Sequence, residues 1–117
     1  MATISYIALR TKDIDKLKIF YETIGLSFVK EQHGEGPWHY SCRIGNFVLE
    51  IYPSSDAISK DRLGFKVDNL ESRLQELQKI GAQIKTQLSQ KTHKKRVVIY
   101  DYDWRIVELI ENREYTV

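Results

Sequence analysis

The sequence predicts an α+β domain built from two copies of one strand–helix–three-strand (βαβββ) unit, eight strands in all. Three observations carry that reading. Leu70 follows Ile14 by 56 positions (70 − 14), and each opens an amphipathic stretch. Gly81 follows Gly25 by the same 56 (81 − 25), and each closes that stretch. The last strand of each copy carries an apolar–Glu–apolar triplet, Leu49-Glu50-Ile51 and Val107-Glu108-Leu109, with the glutamates 58 apart (108 − 50). Self-similarity at a fixed spacing marks a duplicated supersecondary unit. The loops gained two residues and the elements kept their order.

Each element follows from local chemistry. Residues 4–11 (ISYIALRT) alternate and are rich in strand formers. Asp13 is an N-cap for a helix to Ile24, with Ile14, Leu17, Phe20, Tyr21 and Ile24 at helical spacing and Gly25 as its C-terminal stop. Residues 26–33 read as a strand that GEGP (34–37) breaks. Residues 38–44 and 47–52 form a hairpin about Gly45-Asn46, closed by Pro53. The second copy repeats the order: a strand over 62–68, a helix over 70–80 with Leu70, Leu74, Leu77 and Ile80 on one face, then a strand over 82–88. A polar stretch, SQKTHKK, leads to strands at 96–100 and 105–111, joined by a turn at 101–103. The expected organisation is one domain over 1–117: module one 1–53, linker 54–60, module two 61–111 and a tail 112–117.

Composition narrows the class. A 117-residue chain with 42% hydrophobic and 29% charged residues supports one packed core. Net charge +2 and a pI near 8.6 are too mild for a nucleic-acid surface. No apolar run spans a bilayer, and the N-terminus lacks the pattern of a secretory signal. One cysteine, Cys42, leaves no internal disulfide and reads as a small buried hydrophobe in a reducing, cytoplasmic setting. The basic run HKKR (93–96) reads as a solvated hairpin turn.

Strand parity exposes the candidate site. Leu49 and Ile51 share one face of their strand, and Val48, Glu50 and Tyr52 share the other. Glu108 stands likewise between Ile106 and Ile110. A mid-strand glutamate among apolar neighbours is costly unless something meets it, and here it recurs at matching places. The first strands add Tyr6 and Arg62, 56 apart (62 − 6), on the faces of the small residues Ala8 and Gly64. Tyr6, Glu50, Arg62 and Glu108 are thus expected to line one concave surface, with Glu50 and Glu108 as the reactive carboxylates. His33 and His39 flank the turn before the third strand, beside Trp38 and Tyr40, and Tyr6, Arg62, Tyr52, Trp38, His39 and His33 are the expected ligand-binding residues.

The ordered set YIALRTKDIDKLKIFYETIGLSFV, LEIYP, LGFKVDNLESRLQELQKIGA and IYDYDWRIVELIE resembles the vicinal oxygen chelate superfamily, the glyoxalase, bleomycin-resistance and extradiol dioxygenase group. The final hairpin departs from that group's usual Asp-Pro-Asp-Gly turn, with Tyr102 and Trp104 in place of Pro and Gly. The resemblance implies a glyoxalase-like fold whose sheets face a common cleft, and a homodimer with clefts at its interface. It also implies, in metal-using members, one ligand from the first strand of each module and one glutamate from the last. Those places hold Tyr6, Glu50, Arg62 and Glu108. A guanidinium has no acceptor and cannot ligate a cation, so the inherited metal set is incomplete.

The expected function is therefore binding of an unknown small molecule at a degenerate metal site. Arg62 stands in for the cation, and the protein is either a binder or an enzyme using Glu50 or Glu108 as base. No cofactor is expected. The alternative is a lactoylglutathione lyase-like lyase, isomerase or dioxygenase using Zn, Ni, Fe or Mn on Glu50 and Glu108, completed by a histidine recruited from the hairpin. A third reading is sequestration of a cationic planar compound by an acidic, aromatic cleft. Partners from the nucleic-acid and membrane classes are not expected.

Overall fold

A computed structural model of the chain describes residues 4–55, 62–91 and 94–111. It divides into two compact units, 1–58 and 59–117. Unit one runs β1 (Tyr6–Thr11), α1 (Ile14–Thr23), β2 (Val29–Glu31), β3 (His39–Ile44) and β4 (Phe47–Pro53). Unit two repeats it as β5 (Arg62–Val67), α2 (Leu70–Lys79), β6 (Ile84–Lys91), β7 (Lys94–Tyr100) and β8 (Ile106–Glu111). Each unit is a four-stranded sheet with one helix, ordered β1-β4-β3-β2 and β5-β8-β7-β6. The first strand of each lies parallel to the last, and the other neighbours are antiparallel. The predicted α+β class and βαβββ repeat are the observed ones. Most of the expected linker and the whole tail fall outside the described residues.

The two helices end in the same hydrogen-bonded device. In α1, Leu26 N donates to Tyr21 O at 3.1 Å and Gly25 N donates to Glu22 O at 3.0 Å. In α2, Ala82 N donates to Leu77 O at 3.0 Å and Gly81 N to Gln78 O at 3.1 Å. This double closure needs a left-handed residue after the cap, and Gly25 (φ 114°) and Gly81 (φ 89°) supply it. The starts differ. Asp13 accepts from Lys16 N at 3.1 Å, whereas Asn69 caps α2 with its backbone at φ 51° and Glu111 accepts the Leu70 N–H at 3.4 Å.

Packing follows the parity read from sequence. Leu49 and Ile51 of β4 and Leu9 of β1 are buried, as are Leu17, Phe20, Tyr21 and Ile24 from α1 and its cap. In unit two, Val107 and Leu109 of β8 are buried with Leu70 and Leu77 of α2. The Tyr40 phenol donates to Asp15, tying β3 to the first turn of α1. Cys42 is a buried free thiol.

Three local expectations are corrected. Ile80 is 47% exposed, although Ile24 at the matching C-cap place of α1 is buried. β2 is only three residues long, since β3 offers partners to Val29–Glu31 alone. The polar stretch after Leu88 is strand: Ser89 pairs with Arg96, Gln90 with Lys95 and Lys91 with Lys94. There, cross-strand backbone pairing overrides a composition that reads as loop.

Candidate functional site

The strand register decides which groups meet each glutamate. On the β1 side Glu50 lies beside Ala8, and on the β5 side Glu108 lies beside Gly64. Neither neighbour fills the space next to the carboxylate, and a Cβ added at Gly64 would meet nothing within 4 Å. On the other side Glu50 faces Ser41 of β3, and Glu108 faces Val98 of β7. Two residues before those partners stand His39 and Arg96, so they hold matching places in the two units. Opposite them on the outer strands are Glu31 and Ser89.

In unit one these positions make a compact polar cluster. His39 is 1% exposed, with Nε2 3.1 Å from Glu31 Oε1 and 3.5 Å from Glu50 Oε2. Its Nδ1 lies 3.1 Å from the Pro37 carbonyl oxygen, which can only accept. Nδ1 therefore carries a proton, and Nε2 is left facing the carboxylates. Tyr52 stacks on the imidazole at 4.2 Å and 11°, and its hydroxyl donates to Glu50 Oε2 at 3.2 Å. Burial first, and then the Glu50 carboxylate, push the Tyr52 phenol above its ordinary pKa, so it stays a donor at neutral pH. His33 Nε2 approaches Glu31 Oε1 at 3.5 Å from the exposed side. One ligand atom from each of Glu31, His33, His39 and Glu50 lies within 4.8 Å of the others.

Unit two carries a different chemistry on the same scaffold. Arg62 Nη2 donates to Glu108 Oε2 at 3.0 Å, and Arg96 Nη1 lies 3.8 Å from the same oxygen. Two guanidiniums share one carboxylate. Both arginines stay substantially exposed, so the pairing is screened and adds little to stability.

A family model for the glyoxalase/bleomycin resistance protein/dioxygenase superfamily matches residues 3–108. The chain belongs to that superfamily. Solved structures similar to this superfamily member include the oxidase ChaP-H2, at 12% identity and TM-score 0.76, covering 98% of this chain and 97% of that one. The fosfomycin resistance protein FosX from Listeria monocytogenes aligns at 15% identity and TM-score 0.74, covering 100% and 96%. A glyoxalase/bleomycin resistance protein/dioxygenase family enzyme from Burkholderia phytofirmans aligns at 17% identity and TM-score 0.70, covering 92% and 96%. At these identities the likeness is one of fold. A comparison with curated proteins returned no match.

Among the residues expected from sequence, the structure gathers Glu50 with His33, His39 and Tyr52, and Arg62 with Glu108. Tyr6 stands 63% exposed at the start of β1, opposite Val48 and two places before Ala8. Trp38 is also exposed, with the Lys30 ammonium 6.0 Å from its ring. Glu31 and Arg96 are new. Glu31 stands in an E-x-H pair (31 and 33), but only the β2–β3 register brings it opposite His39. Arg96 was hidden inside a run read as a solvated turn. Among the described residues, no helix is long and apolar enough to cross a membrane.

Proposed function

We propose that this protein binds a small organic molecule on the polar face of the unit-one sheet, with Glu50 as the group that exchanges a proton with it. One observation carries the reading. Glu50 sits mid-strand with its side chain 15% exposed, held by the Tyr52 hydroxyl on Oε2 and flanked by His39, beside the small Ala8. A carboxylate so fixed and partly shielded, with an imidazole as proton partner, suits removal of a proton next to a carbonyl. The stacked His39–Tyr52 pair offers the flat wall that a planar ligand needs.

A second observation supports an anionic ligand group at unit two. Arg62 and Arg96 carry one positive charge more than Glu108 neutralises, in a planar fork suited to carboxylate or phosphate. The reading extends to a cytoplasmic homodimer, supported by the unpaired thiol Cys42 and by the exposed aromatic side chains Tyr6 and Trp38. Light scattering on the purified protein checks the dimer.

The test is a thermal-shift screen of small carbonyl and carboxylate compounds against the wild type, Glu50→Gln and Glu108→Gln. A ligand at about 100 times its Kd stabilises the folded state by about 2.7 kcal/mol, a shift of several degrees. Hits for this site lose their shift with Glu50→Gln. Hits that survive Glu50→Gln undiminished would sink the proposal.

A further inference from the structure

We propose that unit one holds a divalent first-row transition-metal ion between Glu31, His33, His39 and Glu50. Three of these four residues come from β2, β3 and the loop between them. Only Glu50 lies at a position where metal-using relatives are expected to place a ligand. The inference goes beyond the function proposed above and is tested apart from it: Glu50 is the proton-exchanging base in the metal-free protein and a ligand once the ion is bound.

Three of the distances are those of a ligand set. Nitrogen and oxygen ligands sit about 2.0–2.2 Å from such an ion, which places neighbouring ligand atoms about 3–4 Å apart. Here His39 Nε2 is 3.1 Å from Glu31 Oε1 and 3.5 Å from Glu50 Oε2, and His33 Nε2 is 3.5 Å from Glu31 Oε1. All four atoms fall within 4.8 Å of one another. Small rotations of His33 and Glu31, both on the solvent side, close the set on one ion.

His39 is oriented as a metal-ligating imidazole is. Its Nδ1–H donates to the Pro37 carbonyl, the outer partner that fixes tautomer and ring direction in such sites. Nε2 then aims at two carboxylates from a position 1% exposed. Two negative groups around a shielded nitrogen call for positive charge there. A metal ion there meets the imidazole lone pair and both carboxylates at once. Tyr52 holds the arrangement from outside, stacked on His39 and donating to Glu50.

Ligand chemistry selects the ion class. Two imidazoles with two carboxylates favour the series from manganese to zinc over magnesium or calcium, which take oxygen-only shells. The matching place in unit two carries Arg96 for His39 and Ser89 for Glu31, and a guanidinium has no lone pair to give. The proposed site belongs to unit one alone.

The experiment is titration of metal-free protein with Co2+, followed by calorimetry and by visible absorption from the bound ion, with Mg2+ as control. One Co2+ per chain is expected, with little response to Mg2+. Glu31→Gln and His33→Ala change solvent-side groups and each should weaken Co2+ at least about tenfold; His39→Gln and the supporting Tyr52→Phe should weaken it about 10–100-fold. Circular dichroism on each variant checks the fold. Wild type that takes up no stoichiometric Co2+ would overturn the inference, as would uptake indifferent to both Glu31→Gln and His33→Ala. If small molecules bind through Glu50 while Co2+ does not, the metal inference fails and the proposed function stands. If Co2+ binds with the stated losses and no small molecule does, the metal inference stands and the proposed function fails.

Discussion

The two units share one backbone plan and differ in what surrounds the same glutamate. In unit one Glu50 meets an imidazole and a phenol, with a second carboxylate across the strand. In unit two Glu108 meets two guanidiniums. Arg96 in place of His39, Ser89 in place of Glu31 and Arg62 on the first strand turn a set of potential metal ligands or proton carriers into a carboxylate held by two guanidiniums. The lesson is that the scaffold fixes where the carboxylate stands, and the cross-strand neighbours fix what it can do.

The turns before the last strands differ as sharply. Unit one uses Gly45-Asn46, with Gly45 at φ 56°. Unit two uses a buried network in which Asp101 accepts from Asp103 N at 2.8 Å and Arg105 N at 2.9 Å, and binds the Arg105 guanidinium at 3.0 Å. The network holds Trp104 at φ 63°, a conformation that bulky residues avoid. Asp101→Ala strips the buried Arg105 of its main partner and should cost about 3–5 kcal/mol. Gly45→Ala should cost only about 1–2 kcal/mol, the penalty of a left-handed alanine. Urea unfolding followed by tryptophan fluorescence compares them, and equal losses would remove the distinction between the turns.

Exchanging the third-strand residues tests the comparison at the sites. His39→Arg should abolish Co2+ uptake by unit one, a loss of at least about 100-fold or 2.7 kcal/mol. Arg62→His with Arg96→His places two imidazoles beside Glu108, and in the His39→Arg background should restore Co2+ binding. Restored binding that persists after Glu108→Gln would show that the ion has gone elsewhere.

A titration separates unit one in another way. The hydrogen bond to Asp15, with burial and the Asp15 charge, pushes the Tyr40 phenol up to about 12. A phenol whose folded pKa lies above the unfolded value of 10.0 contributes stability that is full below pH 10 and lost as pH rises through about 12. Tyrosinate absorbance should therefore show late ionisation that Tyr40→Phe removes in part, Tyr52 being raised as well, and Tyr40→Phe should flatten the fall in stability between those values. The smallest effect is expected at Arg62. Its exposed pairing with Glu108 should be worth under about 1 kcal/mol, so Arg62→Ala should barely move the urea midpoint.

Much of the fold was legible because its signals are local. The Asp13 cap, the glycines at 25 and 81, and the alternation around Glu50 and Glu108 act within a few residues. The strand character of residues 89–91 was not legible, since polar side chains gave no periodicity and only pairing with β7 makes the strand. The site was half legible. Glu50, His33, His39, Tyr52, Arg62 and Glu108 stood out by type and place, while Glu31 and Arg96 looked like ordinary surface charges.

The sequence by itself determined the duplication, the faces of the strands and the presence of one glutamate per closing strand, because period-2 and period-3.6 patterns are properties of the chain. Only the tertiary structure decided each glutamate's company. Cross-strand register sets which side chains come within 3–4 Å, and a shift of one residue would turn each onto the opposite face. Register is fixed by pairing between strands distant in sequence, such as Glu31 with His39 and Ser41 with Glu50. That is why the imidazoles beside Glu50 and the guanidiniums beside Glu108 follow from strand register and not from composition.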